Sequence, residues 1–168
     1  MVQTDRSGCP INLTLEQLGD RWSLIVIRDI MFGNRGTYGE LLAQSEEKIA
    51  SNILADRLKR LTASGLLTRL PDPGHKQKVI YKLTEAAIQL VPLLAHMGAW
   101  GNRHTRPSYE LSVRADLLER GGPALWEAFM AELRHIHLAA PAPARSVFAE
   151  LQSTYEEAVA ASRQARAE

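Results

Sequence analysis

The forty residues from Ser45 to Thr84, SEEKIASNILADRLKRLTASGLLTRLPDPGHKQKVIYKLT, constrain the fold more than any other part of the chain. At about 100° per residue, Leu54, Leu58 and Leu61 fall within about 60° of one another and form one sharp apolar seam. Asn52, Asp56 and Lys59 point the other way with Ala55 beside them, so the outward face is polar and lined by short side chains. Ser51 is the expected cap of this helix, and Ser64-Gly65 its stop. LLTRL and KVIYKLT then alternate apolar and polar residues as a β-hairpin does, joined by PDPGHKQ, a connection long enough to project. A helix buried on one side and polar on the other, followed by a basic hairpin, implies a winged helix-turn-helix.

Charge supports that reading only once it is divided along the chain. The 168 residues carry a formal net charge of +1. Residues 48–82 hold eight Lys/Arg against two Asp, whereas residues 1–47 hold four basic and seven acidic residues and residues 108–168 six and nine. The near-neutrality is a cancellation between one basic segment and two acidic flanks, and such asymmetry steers a polyanion to one face. No apolar run approaches the roughly 20 residues that span a bilayer, and the N-terminus has no secretory pattern. The expectation is a cytoplasmic protein without membrane contact.

Earlier in the chain, INLTLEQL places Ile11, Leu15 and Leu18 on one side of a short helix ending near Gly19. RWSLIVIRDIMFG is long and apolar enough to be a buried helix, stopped by Gly33-Asn34-Arg35-Gly36. Thr37 and Glu40 have the spacing of a capping box, opening a short helix with Tyr38, Leu41 and Leu42 expected inward. Beyond the hairpin, Glu85 to His104 reads as a helix, with Pro92 as a kink or as its true first turn. Its Ala95, Gly98 and Gly101 permit close approach of another helix. Arg106-Pro107-Ser108 marks a boundary. After it come a helix around LSVRADLLER, a restart at Gly121-Gly122-Pro123, an APAPA linker and a last helix whose Ala-rich end is expected to fray. The predicted fold is α+β and mostly helical: a winged helix-turn-helix with a two-stranded wing over 1–106, and a helical C-terminal extension over 107–168.

The residues expected to meet double-stranded DNA follow from this geometry. Ser51, Asn52, Ala55 and Lys59 form the slim face that enters a major groove, with Asn52 suited to adenine and Lys59 to guanine or phosphate. Arg57 and Arg60 lie on the flanks of the helix, placed for backbone phosphates. His75, Lys76 and Lys78 in the wing would reach phosphate or an adjacent minor groove. A winged-helix protein-interaction module, with the basic face incidental, is the alternative.

Several ordered segments carry a family resemblance: CPINLTLEQLGDRWSLIVIRDIMFG, YGEL, ASNILADRLKRLTASGLL, VIYKLTE and LVPLLAHMGAWG. Over about residues 9–101 the chain resembles the HxlR family of bacterial winged-helix regulators. The resemblance implies a homodimer reading a near-palindromic operator, with repression as the expected sense of control. It places the reading helix at Ser51 to Thr62, the wing at Leu67 to Lys82, and the dimer surface on the first helix and on Glu85 to His104. It also makes Cys9, in its Cys-Pro opening, a candidate redox switch, with Arg6 close by in sequence; a packed thiol beside a helix start is the alternative. Cys9 is the sole cysteine, so any disulfide would be intermolecular.

Residues 108–168 have no counterpart in shorter members. Their Trp126, Phe129, Phe148 and Tyr155 either line a pocket for a small-molecule effector, making the chain a ligand-sensing regulator, or pack helix on helix. Trp22 and Trp100 are expected as core and dimer-seam anchors. His135 and His137 sit about 200° apart on a helix and cannot share a metal, and His96 and His104 lack a third ligand nearby. No nucleophile elbow, phosphate loop or metalloprotease motif occurs. The expectation is no metal, no cofactor and no catalysis.

Overall fold

A computed structural model of the chain describes residues 7–167, apart from the side chains of 76, 77 and 167. Two compact units divide between Ala87 and Ile88. The helix carrying Trp100 packs against the helix that follows it, within the second unit.

The first unit comprises α1 (Pro10–Leu18), α2 (Ser23–Gly33), α3 (Tyr38–Ala43), α4 (Ser51–Ala63), β1 (Leu67–Asp72) and β2 (His75–Leu83). Its core is built from Val26, Ile27, Ile30 and Met31 of α2, Leu41 of α3, and the Leu54, Leu58, Leu61 seam of α4. Each such side chain contributes about 1.5–3 kcal/mol on burial, so the seam outweighs any surface pair in holding α4 down. Asn34, in left-handed conformation, ends α2. The capping box opens α3: the Glu40 amide donates to Thr37 Oγ1 at 3.3 Å, and Glu40 Oε2 accepts from the Thr37 amide at 2.9 Å. The same Oε2 takes the Thr37 hydroxyl at 2.8 Å. That hydroxyl, with the amides of Thr37 and Gly36, holds the Glu40 carboxyl below its ordinary range.

Three details differ from expectation here. The cap of α4 is Ala50, which has no side-chain oxygen, so Ser51 is the first helical residue and its side chain faces solvent. Tyr38 is exposed rather than inward, because at the start of α3 its hydroxyl reaches across to donate to the Ser51 carbonyl at 3.0 Å. The hairpin connection is two residues, Pro73-Gly74, since Asp72 already pairs with His75. Asp72 Oδ1 accepts the Gly74 amide at 2.8 Å and closes the turn. The register slips between Pro71 and Asp72, where proline, lacking an N–H, is tolerated. The wing is thus a long paired ribbon. It is tied to the helices where Tyr81 donates its amide to the Gly36 carbonyl at 2.7 Å.

The second unit holds α6 (Val91–His104), α7 (Tyr109–Leu138) and α8 (Val147–Ala167), while the short α5 (Glu85–Ile88) spans the division. Pro92 occupies the first turn of α6, where its missing N–H costs nothing. Gly98 is required by packing: a Cβ there would stand 2.8 Å from the Ala115 Cβ of α7. α7 is two helices joined at Gly122, whose φ of 56° and ψ of −157° break the helical path at the expected restart. Trp126 Nε1 donates back across this kink to the Leu118 carbonyl at 2.8 Å. Phe129 is fully buried and Phe148 and Tyr155 are half-buried, with the Arg114 guanidinium 4.3 Å from the Tyr155 ring centre. The Ala-rich end is helical to Ala167, as its helix-favouring composition allows. Trp22 is half-buried, and Trp100 is 59% exposed beside His104. No helix among the described residues is long and apolar enough to cross a membrane.

Candidate nucleic-acid interface

The outward face of α4 is built by default: three leucines take one side into the core, and 3.6-residue periodicity leaves Ser51, Asn52, Ala55, Asp56, Lys59 and Arg60 exposed. Short side chains at 51, 52 and 55 keep that ridge slim. Lys59 and Arg60 have no ion-pair partner among the described residues. His75 is exposed immediately after the wing turn, and Lys78 lies 3.7 Å from Asp72, a loose surface pair. The Lys76 side chain lies outside the described residues.

Arg57 is the exception. Expected on a flank facing phosphates, its side chain is only 15% exposed and its charge is shared by two carboxylates, Asp20 at 2.9 Å from Nη1 and Asp56 at 2.9 Å from Nη2. The contact to Asp20 is an ion pair without hydrogen-bond alignment, since Nη1 makes no hydrogen bond. The physical reason for the departure is tertiary: the turn between α1 and α2 brings Asp20 alongside α4, which one helical wheel cannot reveal.

A second set of contacts fixes the approach to α4. Arg28 of α2 donates to both oxygens of Glu47 at 2.6 and 2.8 Å and also pairs with Asp29, which Arg35 approaches at 3.3 Å. The Arg28 hydrogen bonds hold the Glu47 carboxyl below its ordinary range against partial burial. Between Glu47, held by Arg28, and Ile49, buried in the core, Lys48 projects into solvent with a φ of 53°. Lys48 and the exposed Arg69 of β1 extend the set of unpaired cations beyond the residues chosen from sequence. The signal for Lys48 was present in the basic run but carried no geometry.

Elsewhere, Cys9 is exposed at the N-cap of α1, where the Asn12 and Ile11 amides draw its thiol below the ordinary value. Arg6 lies outside the described residues. His135 Nδ1 lies 2.7 Å from the Ala140 carbonyl, and His96 packs edge-on to Trp126. No cluster of metal-ligating side chains occurs among the described residues.

The comparisons with known proteins bear on this arrangement directly. The family model of HxlR-like helix-turn-helix proteins matches residues 17–109. The chain belongs to that family. Among HxlR-like relatives, the HTH-type transcriptional regulator Rv3095 of Mycobacterium tuberculosis is 31% identical over 97 residues, 58% of this chain. The match spans 60% of the length of that relative. YdeP, an HTH-type transcriptional regulator of Bacillus subtilis, is 30% identical over 100 residues, covering 60% of this chain and 77% of its own. The crystal structure of PA1607 superposes with a TM-score of 0.55 at 31% identity, over 61% of this chain and 70% of that one. The HxlR-like match takes in α2, α3, α4 and both wing strands, so the expected winged helix is the fold observed, and the relatives are named as regulators rather than enzymes. Most of α7 and all of α8 lie beyond it.

Proposed function

We propose that this HxlR-like chain is a sequence-specific, DNA-binding transcriptional regulator of the cytoplasm, a repressor that acts as a homodimer on a near-palindromic operator. The observation that carries the reading is the exposed ridge of α4: short side chains at Ser51, Asn52 and Ala55, then unpaired Lys59 and Arg60. Such a ridge lets backbone and side chains reach base edges in a major groove. Two copies would place their α4 helices about 34 Å apart, with Lys48, Arg69, His75, Lys76 and Lys78 against phosphates.

Pairing of copies is supported by apolar faces left open on the two helices expected to dimerise. On α1, Ile11 is 72% and Leu15 60% exposed. On α6, Leu93, Met97 and Trp100 recur at i, i+4, i+7 and are all exposed. Within this reading Cys9 is the candidate switch, exposed at the start of α1 with its thiolate favoured by neighbouring amides. Selection of bound duplexes from a random pool tests the whole. A recovered two-fold motif whose binding weakens steeply with salt is expected. Failure to enrich any sequence, with no duplex bound at low salt, would favour the protein-docking alternative.

A further inference from the structure

The leucine seam of α4 is strong but poorly directional. Apolar contacts hold a helix against a core while leaving its roll about its own axis softly defined. On a helix about 10–12 Å across, a roll of about 10° moves an outer atom by about 1 Å, enough to spoil a base-edge hydrogen bond. The Tyr38 hydroxyl holds the Ser51 carbonyl at the helix start, and a charged tether from the middle of the helix to a fixed point restrains that roll further. Arg57 reaches back from the middle of α4 and sits 2.9 Å from Asp20.

Asp20 is itself immobilised. Its Oδ1 accepts the backbone amides of Trp22 at 2.8 Å and Ser23 at 3.0 Å, and its Oδ2 takes the buried Ser23 hydroxyl. Burial works against its charge, yet the Ser23 hydroxyl, these amides and Arg57 hold the carboxyl below its ordinary range. The acid is a fixed post in the turn just before α2, and Arg57 is the tether from α4 to that post.

We propose that Asp20 is a positioning residue for DNA recognition, acting through Arg57 to set the roll of α4. The inference rests on the DNA-reading function proposed above. It assigns a role in binding to a carboxylate, a group that by charge alone opposes a polyanion.

That opposition supplies the test. Asp20→Asn keeps an oxygen for the Trp22 and Ser23 amides and removes the negative charge. On electrostatics alone it should tighten DNA binding. Positioning requires the reverse: about five- to tenfold weaker binding to the duplex selected by wild-type protein, with an unchanged salt slope. Arg57→Lys, which keeps the charge but loses the forked geometry, should fall between wild type and Asp20→Asn, also with an unchanged slope. Lys59→Ala in the same titration should lower the slope by about one. Thermal unfolding by circular dichroism verifies that each variant is folded at the assay temperature. If wild type binds and Asp20→Asn binds as tightly or more tightly, the positioning role is overturned while the functional reading stands. A slope lowered by about one for Arg57→Gln, which removes the charge, would equally overturn it, making Arg57 a phosphate contact. If wild type binds no duplex at low salt, both fall.

Discussion

The α4–wing segment and the C-terminal helices differ in where their charged side chains find partners. In α7 and α8, Arg114 donates to the Leu151 carbonyl and to Gln152 while covering Tyr155, Arg134 pairs with Glu127, and Arg145 with Glu150. Glu132, 8% exposed, accepts the Ser146 hydroxyl at 2.5 Å and the Phe148 amide at 2.8 Å and so holds the start of α8. These groups are consumed internally, while Arg120 and Arg163 of the same helices are exposed with no acid partner among the described residues. Between residues 48 and 69, Lys48, Lys59, Arg60 and Arg69 have no acid partner among the described residues. Cations that bring no intramolecular gain are free to meet an external polyanion. Arg57, inside the same segment, belongs to the other class.

The largest test of this contrast is a control on the apolar side of α4. Leu58, 1% exposed, should cost about 2–5 kcal/mol when changed to alanine. Urea unfolding would record that loss, and DNA binding should disappear with the fold. Next, Glu132→Ala leaves the Ser146 hydroxyl and Phe148 amide without their acceptor and should cost about 1–3 kcal/mol in the same measurement. A neutral result would break the claim that Glu132 is consumed in folding the second unit.

Glu47→Gln should have a smaller effect, about 1 kcal/mol or less, because the carboxylate is partly open to solvent and screened. Its folded pKa is lowered, so its stabilising contribution is complete above the unfolded value of about 4.3 and is lost as pH falls through the lower folded value. The variant should therefore lose stability less steeply than wild type below about pH 5, measured by thermal melts across acid pH. Smallest in stability is Lys59→Ala, expected within about 0.5 kcal/mol of wild type yet with a salt slope of DNA binding lower by about one. Its counterpart Arg134→Ala should leave that slope unchanged. Equal slopes for the two variants would dissolve the distinction between free and consumed cations.

Much of the local architecture was legible because it depends on periodicity and short-range chemistry. The Leu54, Leu58, Leu61 seam, the Thr37–Glu40 box, Pro92 in a first turn and the break at Gly122 all involve residues within a turn or two of one another. Misplaced details came from contacts between elements. Tyr38 is drawn outward by the Ser51 carbonyl thirteen residues away, and the wing turn is shortened by pairing of Asp72 with His75.

Sequence alone determined which side of α4 is buried, where the basic charge concentrates and which family the chain resembles, because hydrophobic spacing and composition are local properties. Only the tertiary structure decided which of those charges are available. Arg57 and Lys59 are two residues apart, and helical spacing, which puts one on a flank and the other outward, does not say which of them meets an acid. The turn at Asp20 does, since an ion pair depends on distance in space and on desolvation, neither of which is written along the chain.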